Sequence, residues 1–158
     1  MQLHPESLLI TALVLIPNLL YLRFPPVNAK KHGNPAGALF FTILERAGQV
    51  FSFLLPLFFP LSFSGAPVVA AWTLMGLLLA LYYAGWIRFF SSGRDYVLLF
   101  RPMIGIPIPM AISPVLLLLL SSVVLGSIWQ ALAAAVLGVG HITISARENF
   151  RVSKLSSA

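Results

Sequence analysis

The chain has 158 residues, 59% of them apolar, with 10 Lys and Arg against 4 Asp and Glu, a formal net charge of +6 and no cysteine. Charged residues make up 9% of the chain, where a soluble domain carries about 25%; with a mean hydropathy of +0.94, this excludes a water-soluble globule and a disordered chain. Without cysteine there is no disulfide, thiolate metal site, iron–sulfur cluster or cysteine nucleophile.

A helix that crosses a bilayer needs about 20 mostly apolar residues, and five such stretches follow one another: 7–22, 37–63, 68–90, 108–126 and 128–146. The first carries Pro17 beside Asn18, which predicts a kink and freed backbone carbonyls near its inner third. In the second, Glu45, Arg46 and Gln49 precede Pro56 and Pro60, so its outer half is expected to bend or end early. The third is continuous and places Gly76, Ala80 and Ala84 at i+4 spacing, a small-residue stripe expected to pack against another helix of the same chain. Arg94 to Arg101 then alternates charge with apolar bulk, which suits a piece lying along the membrane surface. Pro102, Gly105, Pro107 and Pro109 delay the fourth helix to about Pro109. From Ile104 to Ala146 there is no Lys, Arg, Asp or Glu. That length suits two helices with a turn near Gly126 and Ser127. The expected fold is an all-α integral membrane protein, a compact bundle of five transmembrane helices forming one domain over 1–158.

The basic residues predict its orientation. Arg23, Lys30 and Lys31 follow the first helix, Arg88, Arg94 and Arg101 the third, and Arg147, Arg151 and Lys154 the fifth, whereas the opposite connections hold none. The positive-inside rule makes the basic face cytoplasmic, with the N-terminus outside and the C-terminus cytoplasmic, and the expected setting is a bacterial inner membrane. Trp72 and Trp129 are expected at the outer interface, Tyr21 and Trp86 at the inner one. A cleaved leader ending at Val27-Asn28-Ala29 is the rival for the first helix, but its apolar run lacks a basic flank on the N-terminal side. Topology accounts for the net charge, and no nucleic-acid motif is present.

Ionisable groups at membrane depth mark candidate functional sites. Thr42, Glu45, Gln49 and Ser52 form one stripe of the second helix, with Arg46 beside it; Glu45 lies about 12 Å from the inner end at ~1.5 Å per residue. His141 lies at similar depth in the fifth helix, on a face with Ala134, Gly138 and Ser145. Asn18 and either Tyr82 or Tyr83 occupy the same inner half, while the outer half looks nearly bare of such groups. The expected ligand-binding pocket comprises Asn18, Glu45, Arg46, Gln49, Tyr83, Arg88 and His141. The competing expectation is that these groups only hold helices together. One His and one Glu fall short of the three protein ligands usual for zinc, so neither a metal nor a cofactor is expected. Gly-x-Ser-x-Gly, His-Glu-x-x-His and a phosphate-cradling glycine loop are absent. The leading functional expectation is binding or translocation of a small polar or amphiphilic ligand, including a lipid. The alternatives are a non-catalytic subunit that docks a partner or a second copy, and an intramembrane acid/base enzyme on a lipid-like substrate.

Overall fold

The computed structural model describes residues 2–28 and 38–155, so Ala29, Lys30 and Lys31 lie outside the described residues. Five α-helices follow in order: α1 (Leu8–Arg23), α2 (Ala38–Leu54), α3 (Ala66–Ser91), α4 (Pro109–Val124) and α5 (Ile128–Leu155). Short 3-10 turns sit at Pro5–Ser7, Leu55–Phe58 and Tyr96–Leu99. Among the described residues there is no strand, only one bridge between Met103 and Ile106. Four helical stretches, Pro5–Arg23, Leu39–Phe58, Ala66–Ser91 and Ile128–Lys154, are long and apolar enough to cross a membrane; Pro109–Val124 is apolar but shorter.

Two boundaries differ from the sequence expectation. The second helix does not continue to Phe63: its α-helical part ends at Leu54, and the chain tightens into a 3-10 turn at Pro56, where proline lacks the N–H an α-helix needs. The fifth helix runs well past Ala146, to Leu155. Charged residues mark where an apolar stretch ends, but Arg, Glu and Lys are good helix formers and carry the helix on.

α4 is the core. It packs between α3 and α5, and α2 packs on α5; Ser113, Pro114, Val115, Leu117, Leu118 and Ser121 of α4 are all buried. The tightest approach joins α2 to α5 through two glycines. A Cβ on Gly48 would lie 2.3 Å from the Leu137 backbone nitrogen, and one on Gly140 2.4 Å from that of Glu45. The stripe Gly76, Ala80 and Ala84, expected to pack within the chain, instead faces outward: all three are exposed, and a Cβ on Gly76 would meet nothing within 4 Å.

α1 is fastened at one end. The His4 N–H donates to the Leu57 carbonyl at 2.7 Å, Ser7 Oγ to Phe59 O at 2.7 Å and Thr11 Oγ1 to Phe53 O at 3.2 Å. Beyond Pro17, Asn18, Leu19 and Leu22 are exposed. At the opposite end of the bundle the segment after α1 meets the α3–α4 connection: the Val27 N–H donates to Arg94 O at 3.2 Å, and the Asn28 amide donates to Asp95 Oδ1 at 3.0 Å. The segments that carry Arg23, Arg94 and Arg101 are thus gathered at one end.

Prolines release carbonyls, and neighbouring helices take them up. Pro17 cannot donate to Leu13 O, four residues earlier; the Tyr83 hydroxyl donates to it instead, at 2.9 Å. Pro56 likewise leaves Ser52 O without its helical donor, and Gln130 Nε2 reaches it at 3.3 Å. A half-buried carbonyl left without a donor costs about 1–3 kcal/mol. Tyr83→Phe should therefore lower stability by about 1 kcal/mol, and by clearly less when Pro17→Ala restores the backbone donor. Thermal unfolding of the four proteins of that cycle checks this. Equal losses in both backgrounds would show that Tyr83 serves something other than the proline-freed carbonyl.

Candidate functional site

The helices border a half-open cavity of about 610 Å³ near the end where the basic segments gather. α4 supplies one wall through Pro114, Val115 and Leu118, and α1 contributes Leu15, Asn18 and Leu19. Glu45, Arg46 and Gln49 enter from α2, His141 and Glu148 from α5, and Tyr96 from the α3–α4 connection. Most of this lining is apolar, so the polar groups stand out.

At the centre of the polar wall, Glu45 Oε1 lies 2.6 Å from His141 Nδ1. The Glu45 side chain is 22% exposed and that of His141 34%. Gly140 against the Glu45 backbone and Gly48 against that of Leu137 bring α2 and α5 into backbone contact beside this pair, which makes so short a bridge attainable between two helices. Arg46 is exposed and donates to Gln49 Oε1 at 3.4 Å. On α5, His141, Ser145 and Glu148 lie at i, i+4 and i+7, on one face. Glu148 accepts from the Tyr96 hydroxyl at 3.2 Å and from Arg151 Nη1 at 3.2 Å.

Tyr96 is held in place by the connection around it. Asp95 caps the 3-10 turn by accepting from the Val97 N–H at 3.0 Å, and Asn28 Oδ1 accepts from the Tyr96 N–H at 2.8 Å. The Asn28 amide and the Val97 N–H hold the Asp95 carboxyl below its usual range, with Arg101 adding to the effect. A group with a lowered native pKa stabilises above its unfolded value, and that support is lost as pH falls through the lowered one. Burial, then the neighbouring Glu148 carboxylate, raise the Tyr96 hydroxyl, so it remains a protonated donor at neutral pH.

The structure brings Asn18, Glu45, Arg46, Gln49 and His141 to this cavity but places two expected residues elsewhere. The Tyr83 hydroxyl is committed to Leu13 O, and its neighbour Tyr82 lines the cavity in its stead. Adjacent helical residues point about 100° apart, so only one of the two can face inward. Arg88 grips the connection, donating to Leu98 O at 2.8 Å, Arg101 O at 2.9 Å and Pro102 O at 3.3 Å. Trp86 is buried within the protein, 7% exposed and packed edge-on against Tyr21 at 5.8 Å and Tyr82 at 6.1 Å.

Sequence reasoning missed Tyr96 and Glu148. The i+7 spacing of Glu148 from His141 could have found it, had the fifth helix been carried past Ala146. Nor is the far half bare of polar groups. Gln130 is fully buried, and its Nε2 donates to Ser121 Oγ at 3.1 Å as well as to Ser52 O. No known protein family, curated protein or solved structure matches this chain. Among the described residues no three of His, Cys, Asp and Glu are grouped to hold a metal ion.

Proposed function

We propose that this chain is a multi-pass membrane protein whose cavity binds or translocates a small polar or amphiphilic ligand. All five helices cross the bilayer, with the N-terminus outside and the C-terminus in the cytoplasm, because the basic residues collect at one end and that end belongs inside. A bacterial inner membrane suits this arrangement, and the cavity then opens in the cytoplasmic half. The reading rests on one observation above the others: a carboxylate and an imidazole 2.6 Å apart in the wall of a cavity of about 610 Å³. Asn18, Gln49 and Ser145 line the same space, and groups that only joined helices would need no open volume beside them. A cavity of this size lies within the range, about 300–1,000 Å³, that accommodates small-molecule ligands.

Native mass spectrometry after gentle extraction from the native membrane tests the reading. The wild-type protein should retain a small-molecule or lipid mass, and Glu45→Gln should lose it while remaining folded. A bare chain in both samples would sink the proposal. The second reading, a subunit docking a partner or a second copy, draws support from the exposed face of Gly76, Ala80 and Ala84. The same spectrum separates the two: a retained second chain, lost in Gly76→Leu and kept in Glu45→Gln, would favour docking.

A further inference from the structure

The lining of the cavity is selective in charge. Two carboxylates, Glu45 and Glu148, face it, and both are only partly exposed. The lining guanidinium, Arg46, is exposed and donates to Gln49 Oε1 at 3.4 Å, whereas Glu45 turns to His141. Asn18, Gln49, His141 and Ser145 add neutral polar groups, and aromatic rings make up much of what remains. Tyr21 and Trp86 meet at 5.8 Å, Tyr82 and Trp86 at 6.1 Å, and Tyr96 and Phe100 at 5.1 Å, and all five line the cavity. Ring faces carry negative charge density and attract cations, most of all weakly hydrated organic ones. Carboxylates add to the same preference, and they oppose an anion at short range. A bare metal cation is poorly served, since no group of three oxygen- or nitrogen-bearing acidic or histidine ligands occurs among the described residues. The remaining walls, Leu15 and Leu19 of α1 with Pro114, Val115 and Leu118 of α4, offer only hydrocarbon.

From these linings we infer that the cavity takes an amphiphilic organic cation, its positive centre between the Glu45 and Glu148 carboxylates and the aromatic rings, its apolar part against α1 and α4. The inference rests on the cavity being a ligand site and adds the ligand's charge. Glu148 is held by Tyr96 and by Arg151, whose guanidinium offsets its charge, so Glu45, partnered by an imidazole, is the stronger of the two determinants.

The test uses two ions of almost identical shape and opposite sign, tetraphenylphosphonium and tetraphenylborate, titrated by calorimetry into the full chain in nanodiscs of zwitterionic lipid. Empty discs provide the blank for partition into lipid. Tetraphenylphosphonium should bind above the blank at least about tenfold more tightly than tetraphenylborate, and Glu45→Gln should weaken it by about tenfold, the loss expected for one partly screened charge pair. Glu148→Gln should weaken it less, and it guards against the chance that Glu45→Gln misfolds. Preferential binding of tetraphenylborate, lost in Arg46→Gln, would overturn the cationic class and leave the ligand site standing. Tetraphenylphosphonium binding unaltered by both glutamate variants would mean that the ion sits elsewhere, which overturns the inference. No binding of either ion above the blank, together with no mass retained from the native membrane, would overturn the ligand site itself.

Discussion

Gly140→Leu is expected to abolish the folded protein, and even Gly140→Ala to cost about 3 kcal/mol, the upper part of the usual range for overpacked cores. The reason is geometric. A Cβ at Gly140 would lie 2.4 Å from the Glu45 nitrogen, 2.7 Å from Phe41 O and 2.8 Å from the Glu45 Cα. These atoms belong to the α2 backbone, so no side chain can swing aside; the helix itself must move. Gly48 repeats the problem from the other side, with the Leu137 nitrogen at 2.3 Å and its Cα at 2.5 Å. Moving α2 away would also strip the Glu45–His141 bridge and the Gln130 contact to Ser52 O, since both span the same two helices. At roughly 2–4 °C per kcal/mol for a chain of this size, Gly140→Ala should lower the unfolding temperature by about 6–12 °C. Gly76→Ala is the control: with nothing within 4 Å of its Cβ, it should leave the unfolding temperature within about 2 °C. Equal behaviour of the two alanine variants in a thermal scan of the detergent-extracted protein would refute the α2–α5 contact.

The contrast between Gly140 and Gly76 shows what can be read from sequence and what cannot. Apolar runs and their interruptions located all five helices, because hydrocarbon length is a property of the local sequence. Proline positions anticipated the early end of α2 and the freed carbonyls of α1. Facing is different. Gly76, Ala80 and Ala84 form a regular stripe, yet regularity says only that one face is smooth, not which neighbour meets it. Gly48 and Gly140 belong to no repeat, and their importance arises only when two distant segments are brought together. The same limit separates Tyr82 from Tyr83. Both are aromatic and adjacent, and which one faces the cavity depends on the rotation of α3 set by its packing on α4. Glu45 and His141 were legible because a charged residue at membrane depth must find a polar partner whatever the fold. Tyr96 was not, since its place depends on how the α3–α4 connection folds back onto α5.

The Glu45–His141 bridge should be strongly coupled, and the coupling should be lopsided. His141→Ala leaves the Glu45 carboxylate in a largely apolar wall without its hydrogen-bond partner, at a cost of about 2 kcal/mol; the pair is partly exposed, so this falls below the 3–5 kcal/mol of a fully buried pair. Glu45→Ala is milder, because it removes the charge itself and leaves an imidazole whose ring nitrogens can bond water. Glu45→Gln is milder still: the amide oxygen can accept from Nδ1 much as the carboxylate does, so this variant isolates charge from folding. The double variant Glu45→Gln/His141→Ala should recover about half of the loss seen in His141→Ala, since an orphaned amide costs less than an orphaned charge. Unfolding temperatures of the four proteins give the interaction energy directly. If the two losses simply add, the 2.6 Å bridge does not exist in the folded protein. If the double variant recovers, Glu45→Gln becomes the clean probe of binding, because whatever ligand it loses is lost to charge and not to collapse of the wall.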